Sequence, residues 1–222
     1  IQEILVISSP ECIDLYQGVL GAGEQWGIEF SYAIQPEPQG IAQSFLIGEE
    51  FIGRDSVALI LGDNIFYGES LWEVLAADKI NGSGAVIFAY QVNDPERYGV
   101  VEFDGNGNAL SIEEKPSFPK SNFAIPGMYF YDNSVIEKTK TLEFSERGEL
   151  EITDLNKMYL AEKKLRVVQL GRGTAWLDAG THESLLQASN FVYAIEERQG
   201  LLVSSPDEIA LRNGWISRAV LA

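Results

Sequence analysis

The sequence predicts an α/β fold: a mostly parallel, mixed sheet flanked by helices, with a small antiparallel extension. Two observations in the first half favour the parallel sheet. Short apolar runs at 57–61 and 85–90 are typical of strands covered on both faces, and segments with helical spacing or helix-start signals alternate with such strands. In the second half, the run DGNGN at 104–108 lies between two strand-like segments, which predicts the antiparallel hairpin of the extension.

The first half alternates between predicted strands and predicted helices. Ser9-Pro10 supplies a cap residue and a first-turn proline, and Gly21 and Gly23 end the helix that follows. Residues 35–40 (QPEPQG) are predicted as a loop because they contain two prolines and a glycine. This order predicts a doubly wound, largely parallel sheet. Its elements are strands at 4–8, 28–34, 57–61 and 85–90, and helices at about 10–20, 41–51 and 70–79.

The second half has a different pattern, in which strands and turns dominate before two helices. Pro126-Gly127 falls inside a strand-like segment, so that strand should be bent or bulged. The predicted elements are strands at 99–103, 109–113, 123–131 and 165–170 and helices at 152–162 and 181–198. No repeat or linker interrupts the chain, which favours one domain over residues 1–222.

Composition and charge exclude several classes of protein. Hydrophobic residues make up 45% of the 222 positions, which is ordinary for a globular protein, and no apolar run is long enough for a membrane helix. The single cysteine, Cys12, excludes an internal disulfide and fits a reducing cytoplasm, while the lack of a Cys/His cluster excludes structural zinc. The net charge of −17 opposes binding to nucleic acid and anionic membranes, so a phosphorylated substrate would need a metal or local cations.

Two aspartates are the leading candidates for a metal site. Asp63 follows the apolar run at 57–61, and ligands of doubly wound sheets bind outside the carboxyl ends of such strands. Asp178 lies in the segment WLDAGT, directly before a predicted helix. Each has a structural alternative, because Asp63 could order the loop after its strand and Asp178 could cap the helix or order a turn. Together they would suit Mg²⁺, which takes only one or two carboxylates beside phosphates and water.

Other polar residues could bind an organic phosphate, and each has a structural alternative. In the pair Glu114-Lys115, the lysine could bind a phosphate and the glutamate could accept hydrogen bonds from sugar hydroxyls, or both could be an exposed strand end. The Gln35 amide could pair with a pyrimidine edge and Gly40 could allow close approach of the backbone, or both could belong to a stiff loop. Tyr98-Gly99 could equally be a core aromatic residue and a strand start.

Two residues that often carry chemistry are interpreted as structural. His182 is the only histidine and is predicted to lie at a helix start, so a hydrolytic triad is not expected. Cys12 is predicted to be a small buried apolar residue of the first helix.

Several motifs occur in one order along the chain, and that order is specific. The sequence resembles the sugar-nucleotide pyrophosphorylases, a nucleotidyltransferase family, and within it the glucose-1-phosphate thymidylyltransferases. The motifs are QPEPQGIAQ at 35–43, LGDNIFYG at 61–68, RYGVVEF at 97–103, EEKP at 113–116, GELEITD at 148–154 and WLDAGT at 176–181.

The resemblance implies a Rossmann-like core and a reaction between dTTP and glucose 1-phosphate that gives dTDP-glucose and pyrophosphate. It implies Mg²⁺ as cofactor and dTDP-sugars as further ligands, and it places the enzyme in dTDP-rhamnose biosynthesis as a cytoplasmic homotetramer. The residues it implicates are Asp63 and Asp178 for the metal, Gln35, Gly40 and Asp63 for the nucleotide, Tyr98, Gly99, Glu114, Lys115, Ile125 and Trp176 for the sugar phosphate, and Tyr67 and Gly68 near a feedback site.

The resemblance also implies a division of the single domain. The nucleotide-binding part is expected at about 1–92, the sugar-binding part at about 93–200 and a helical part at about 201–222. The family's glycine-rich loop GGxGTRL and the lysine after it are absent from these residues. We therefore expect an N-terminally truncated domain with little or no transferase activity, in which Lys115 and Arg172 are the cations nearest the cleft.

Two alternatives remain open from the sequence. The chain could be a non-catalytic relative that binds nucleotide sugars or forms oligomers without the phosphate loop. It could also be a uridylyl-, cytidylyl- or adenylyltransferase of the same family. The QPEPQGIAQ segment favours the thymidylyl type by resemblance.

Overall fold

The computed structural model describes residues 1–68, 71, 75 and 83–221. Its strands are β1 (Glu3–Ser8), β2 (Glu29–Ile34), β3 (Val57–Ile60), β4 (Asn64–Tyr67), β5 (Ala85–Gln91), β6 (Gly99–Phe103), β7 (Ala109–Glu114), β8 (Phe123–Ala124), β9 (Met128–Tyr131), β10 (Leu165–Gln169) and β11 (Ala175–Asp178). Its helices are α1 (Ile13–Leu20), α2 (Gln43–Ile47), α3 (Glu49–Ile52), α4 (Ser134–Lys140), α5 (Ile152–Ala161), α6 (His182–Gln199) and α7 (Pro206–Arg212). The helix predicted at about 70–79 lies, apart from Leu71 and Leu75, outside the described residues.

The central sheet is mixed, and its strand order is β3-β9-β5-β8-β6-β7, with β10 on the other edge of β5. Strands β3 and β5 are both antiparallel to β9, so they share one direction, and β10 is parallel to β5. The α/β class is therefore confirmed. The doubly wound order needs correction, because β9 from the second half of the chain lies between β3 and β5, and β1 and β2 form a parallel pair of their own.

Burial of β3 also differs from the expectation. The sequence predicts a strand covered on both faces, but Ile60 is 56% exposed and its three neighbours are only half-buried. An apolar run is compatible with burial of a strand on both faces. It does not show whether helices or other strands actually cover both faces in the fold. By contrast, the first five residues of β5 are buried, as predicted for a central strand.

The hairpin and the bent strand, which form walls of the pocket described below, follow the sequence prediction. Strands β6 and β7 pair antiparallel, and the Asp104 carboxylate orders their turn by accepting hydrogen bonds from the backbone N–H groups of Asn106 and Asn108, each at 2.8 Å. The predicted strand at 123–131 is split into β8 and β9 around Pro126-Gly127. A Cβ on Gly127 would lie 2.6 Å from side-chain atoms of Leu61, so only glycine fits this bend.

Helix positions are close to the predictions, with three differences. Helix α1 begins at Ile13, after a turn that starts at Ser9, and the segment predicted as one helix at 41–51 is divided into α2 and α3 at Gly48. Cys12 is exposed at the start of α1, so its predicted burial is wrong. A cysteine at the first turn of a helix has no i−4 neighbour to cover it. None of the described helices has both the length and the apolar character needed to cross a membrane.

The main core lies between the central sheet and the helices α2, α4 and α5. Tyr131 of β9 packs edge-on against Phe45 of α2, with ring centroids 5.2 Å apart, and its ring is tilted against that of Tyr159 of α5, with centroids 5.5 Å apart. Full burial of a side chain of this size typically contributes about 1.5–3 kcal/mol. This packing holds the first turn of α5, where Thr153 and Asn156 are both 1% exposed, against the sheet.

Candidate active site

A pocket of about 210 Å³ opens beyond the carboxyl end of β3. Its walls come from the β6–β7 hairpin, the bend between β8 and β9, the first turns of α5, and the β4–β11 ladder. The lining residues are Ile41, Leu61, Asp63, Asn64, Arg97, Tyr98, Gly99, Glu114, Lys115, Ile125, Gly127, Tyr129, Ile152, Thr153, Asn156, Trp176 and Asp178. Eight of the ten predicted site residues are in this wall, and Gln35 and Gly40 are not.

The β4–β11 ladder brings Asp63 and Asp178 together. Asp178 pairs with Asn64 in that ladder, and the backbone N–H of Ala179 donates to the carbonyl of Asp63 at 2.7 Å. A Cβ built on Gly180 would lie 3.1 Å from Asp63 Oδ2 and 3.1 Å from Asp178 Oδ1. The two carboxylates therefore face one point, and the missing side chain of Gly180 leaves that point accessible.

The structural alternatives for these aspartates can now be judged. The cap of α6 is Thr181, whose hydroxyl accepts from the backbone N–H of Ser184 at 3.1 Å in a capping box, so Asp178 does not cap the helix. Asp178 Oδ1 does accept from the backbone N–H of Gly180 at 3.0 Å, so this carboxylate also orders a turn. Two nearby carboxylates repel unless a cation lies between them. Among the described residues no cluster of three or more acidic, histidine or cysteine ligands occurs. The pair fits Mg²⁺, which needs few carboxylates when phosphates and water complete its shell.

Asn64 connects the metal-binding candidates to the rest of the pocket. Its Nδ2 donates to Asp63 Oδ1 at 2.7 Å, and its Oδ1 accepts from Trp176 Nε1 at 2.7 Å and from the backbone N–H of Gly127 at 2.8 Å. One amide thus orients a candidate metal ligand, an aromatic wall and the bend between β8 and β9.

Glu114 is held in place by side chains from outside its own strand. Thr153 Oγ1 donates to Glu114 Oε2 at 2.5 Å, and Arg147 Nη1 lies 3.7 Å from Glu114 Oε1. A Cβ on Gly99 would come within 3.2 Å of Thr153 Oγ1 and 3.4 Å of Glu114 Oε2, so glycine leaves this wall open. Arg147 also pairs with Glu149 and Glu151, and it is a cation near the pocket that sequence reasoning missed.

Lys115 has an unusual backbone conformation. Its φ is +40°, which is uncommon for a residue other than glycine, and it precedes Pro116, which further restricts its backbone. Its N–H donates to the carbonyl of Tyr98 at 3.0 Å, which anchors the strained turn to the hairpin. Such strain persists where the surroundings fix it, and it is common at functional sites.

Aromatic rings form the wall beside the aspartates. The ring of Trp176 lies edge-on to Tyr98 at 5.0 Å and to Tyr90 at 5.8 Å, and the Arg97 guanidinium lies 5.4 Å from the centre of the Tyr98 ring. Burial raises the pKa of the Tyr98 hydroxyl, with Arg97 opposing and Asp178 adding to the rise. The hydrogen bond with Asp94 raises the pKa of Arg97, and Tyr98 and Asp178 also contribute. The wall therefore carries a fixed positive charge at ordinary pH.

The two predicted nucleotide contacts lie close together but outside the pocket wall. Gln35 Nε2 donates to Gln43 Oε1 at 2.6 Å and to the carbonyl of Gly40 at 3.3 Å. At Gly40, where φ is +100°, a Cβ would lie 2.4 Å from the carbonyl oxygen of Leu150. A side chain at position 40 would therefore collide with the Leu150 backbone, which explains the glycine. The sequence prediction was that Gly40 allows a ligand to approach the backbone.

The remaining candidates lie apart from the pocket. Among the described lining residues the cations are Arg97 and Lys115, and Arg172 is not one of them. Tyr67 packs edge-on against Phe191 of α6, and Gly68 approaches the carbonyl of Gly173, where a Cβ would lie at 2.7 Å. His182 is the first residue of α6, as predicted.

Five polar lining residues were not among the site residues predicted from the sequence. Asn64 and Arg97 stand next to the predicted Asp63 and Tyr98, and that adjacency is the signal that could have found them. Thr153 stands in the GELEITD motif at 148–154, whereas Tyr129 and Asn156 have no local signal and reach the pocket through the packing of β9 and α5. The five are Asn64, Arg97, Tyr129, Thr153 and Asn156.

Comparison with known proteins gives one consistent result. The sequence profile described as nucleotidyl transferase matches residues 1–194. A glucose-1-phosphate thymidylyltransferase of Neisseria meningitidis is 55% identical over 217 residues, which are 98% of this chain and 75% of that protein. The enzyme of the same name from Mycolicibacterium smegmatis is 54% identical over 222 residues, which are 100% of this chain and 77% of that protein.

Solved structures show the same relationship. A Bacillus anthracis protein assigned as a glucose-1-phosphate thymidylyltransferase and crystallised with sucrose has a TM-score of 0.80 and 36% identity, and the match covers 94% of this chain and 80% of that one. A UDP-glucose pyrophosphorylase complexed with UDP-glucose has a TM-score of 0.74 at 20% identity, over 87% of this chain and 81% of that one, and shares the fold. The chain therefore belongs to the nucleotidyl transferase family.

Proposed function

We propose that the chain transfers a thymidylyl group from dTTP to glucose 1-phosphate, giving dTDP-glucose and pyrophosphate. The observation that carries this proposal is the convergence of the Asp63 and Asp178 carboxylates at the side of a pocket lined by hydrogen-bonding residues. The names of the relatives at 54–55% identity support the choice of nucleotide and sugar.

The reaction needs no nucleophile from the protein. A phosphate oxygen of glucose 1-phosphate attacks the α-phosphorus of dTTP in line; one P–O bond forms and the bond to the leaving pyrophosphate breaks. Catalysis then consists of positioning and charge neutralisation. Mg²⁺ held by Asp63 and Asp178 would supply a Lewis acid next to the phosphates.

The chain's own residues take distinct roles in this proposal. Lys115 binds the phosphate of the sugar, and Glu114, fixed by Thr153, accepts hydrogen bonds from sugar hydroxyls. Tyr98, Gly99, Ile125 and Trp176 form the walls around the hexose. Gln35 and Gly40 lie beyond the pocket wall, next to Ile41, and receive the thymine base there.

The finer assignments extend the same proposal. The nucleotide-binding part occupies about 1–92, the sugar-binding part about 93–200 and the helical part about 201–222. The enzyme acts in the cytoplasm as a homotetramer in dTDP-rhamnose biosynthesis, and a dTDP-sugar inhibits it near Tyr67 and Gly68.

Pyrophosphate release tests the proposal. The assay supplies Mg²⁺, glucose 1-phosphate and, in separate reactions, dTTP, UTP, CTP or ATP. It compares the 222-residue chain with the same chain extended at Ile1 by the N-terminal segment of the Neisseria meningitidis relative. We expect dTTP to be the best nucleotide for the extended chain. Another preferred nucleotide would overturn the thymidylyl assignment, and no release with any nucleotide would favour a non-catalytic binding protein.

The chain without the extension should release little pyrophosphate. The described pocket wall sets two cations, Arg97 and Lys115, against the three carboxylates of Asp63, Glu114 and Asp178. A substrate pair that carries several negative charges is poorly stabilised there. Robust turnover by the 222-residue chain would show that these residues and the metal suffice.

A further inference from the structure

The pocket wall contains a buried polar atom without a partner. The Nδ2 of Asn156 is inaccessible to solvent and has no hydrogen-bond partner among the described residues, and the whole residue is 1% exposed. Its Oδ1 accepts a 2.6 Å hydrogen bond from the Tyr131 hydroxyl, which fixes the orientation of the amide. A buried donor without an acceptor is unfavourable and rare in native proteins, so this one calls for a partner.

The position of Asn156 indicates where that partner lies. Ile152, Thr153 and Asn156 occupy one face of α5, and all three line the pocket. Thr153, one turn before Asn156, holds the carboxylate of Glu114. Because the Tyr131 hydroxyl already binds Oδ1, Nδ2 is the polar atom of this pocket-lining side chain that has no partner among the described residues.

The chemistry of this position selects the ligand group. A phosphate would require a compensating positive charge at this depth, and Asn156 is neutral. The hydroxyl oxygen of a sugar is a neutral acceptor and can replace the missing bond without such a charge. Tyr129, whose pKa is raised first by burial and then by Glu114 and Asp63, stays neutral beside it.

We propose that Asn156 is a specificity-determining residue whose Nδ2 donates a hydrogen bond to a hydroxyl of the bound hexose. This inference rests on the proposed function, because it assumes that the pocket takes a hexose phosphate. Sites built to bind a hydroxyl discriminate strongly against analogues that lack it. The amide therefore contributes to the choice of sugar, while Asp63 and Asp178 serve the metal.

Calorimetric binding of glucose 1-phosphate and of dTDP-glucose to the extended chain, which is the parent in these comparisons, tests this assignment in the presence of Mg²⁺ without requiring turnover. Asn156→Ala removes the donor, and we expect affinity for both ligands to fall about 5- to 10-fold, as for loss of one neutral hydrogen bond. Asn156→Leu removes the donor and fills nearly the same volume without adding a charge, so it provides a second variant if the alanine protein is unstable. Circular dichroism verifies folding.

The matched control is Tyr131→Phe. It breaks the same Asn156–Tyr131 hydrogen bond from the other side and leaves Nδ2 in place. We expect it to lower the melting temperature and to change sugar affinity by less than about 2-fold, since the pocket donor remains.

A series of 2-, 3-, 4- and 6-deoxyglucose 1-phosphates identifies the hydroxyl. The proposal holds if one analogue binds the parent and Asn156→Ala equally, because that analogue lacks the oxygen that Nδ2 contacts. It fails if every analogue retains the full difference, or if parent and variants bind glucose 1-phosphate alike. A parent that binds neither glucose 1-phosphate nor dTDP-glucose would instead overturn the proposed function as well.

Discussion

The two sides of the pocket are built differently. The metal side, formed by Asp63, Asp178 and Gly180, lies on the two-stranded β4–β11 ladder, and Asp63 is exposed. The sugar side lies on the central sheet and α5, with Trp176 added from β11, and it is more buried, although Lys115 is exposed. Its members Ile125, Thr153, Asn156 and Trp176 are 1–8% exposed.

This difference in burial follows from the chemistry of the two proposed ligands, a metal cation and a neutral sugar ring. Exposed carboxylates keep their hydration until a cation replaces it, so the charged pair destabilises the fold little. A sugar offers neutral hydroxyls, and its recognition requires fixed donors and acceptors from which water is excluded. The two sides are joined by the Asn64 amide, which contacts Asp63 on one side and Trp176 on the other. Mutations can therefore impair metal binding alone, sugar binding alone, or both together.

The largest effect should come from a metal-side carboxylate. Asp63→Asn and Asp178→Asn each remove one negative charge from the point that both carboxylates face. In the extended chain we expect kcat/KM to fall about 100-fold or more, the size of effect seen when a group that stabilises transition-state charge is removed. Pyrophosphate release over a Mg²⁺ titration measures this. Asp55→Asn makes the same charge change at an exposed loop and should have no such effect. Equal activity of parent and Asp63→Asn would remove this residue from the metal site.

Asn64→Ala should disturb both sides at once. It leaves Trp176 Nε1 and the N–H of Gly127 without their acceptor and frees the Asp63 carboxylate. Each part-buried donor without a partner costs about 1–3 kcal/mol. We expect a lower melting temperature together with about 10-fold weaker binding of both Mg²⁺ and glucose 1-phosphate. Trp176→Phe breaks only one of the three bonds and should weaken sugar binding alone. If Asn64→Ala affected one ligand only, the two sides would be independent.

Gly180→Ala should affect the metal side selectively. Its methyl group would stand 3.1 Å from an oxygen of each carboxylate, in the space that a cation and its water need. We expect Mg²⁺ affinity to fall about 5- to 10-fold, since small displacements at a preorganised site have large effects, with sugar binding unchanged. Gly62→Ala is the matched control, because a Cβ there meets no atom within 4 Å. Unchanged Mg²⁺ binding by Gly180→Ala would place the cation elsewhere.

The sequence predicted much of this arrangement where local signals determine the structure. The DGNGN turn, the Pro126-Gly127 bend and the helix starting after Thr181 each follow from turn or cap chemistry in adjacent residues. Pairing between distant segments did not follow, because an apolar run carries no information about its neighbour. The insertion of β9 between β3 and β5 is the clearest case.

The same distinction holds for the pocket. Of the eight predicted residues that line it, seven stand in ordered motifs, and Ile125 is the exception. Tertiary contacts place two residues that the sequence did not reveal: Arg147 lies beside the lining residue Glu114, and the lining residue Asn156 is anchored by Tyr131. Neither contact has a counterpart at short spacing in the sequence. Gly40 illustrates the converse, since its glycine is explained by the nearby backbone of Leu150.

The smallest predicted effect concerns the sugar side at alkaline pH. Burial, followed by the charges of Glu114 and Asp63, raises the pKa of Tyr129 in the folded protein. The unfolded chain ionises near pH 10, so the stabilisation is complete below that pH and is lost as pH rises toward the folded pKa. For this residue we expect a loss of about 1 kcal/mol in the free energy of unfolding by pH 10.5. Denaturant unfolding of the parent and Tyr129→Phe at pH 8 and pH 10.5 measures it, and the variant should lose less stability over that interval. A parallel loss in both proteins would mean that the Tyr129 hydroxyl ionises as freely in the folded pocket as in water, and the sugar side would then be far wetter than its burial indicates.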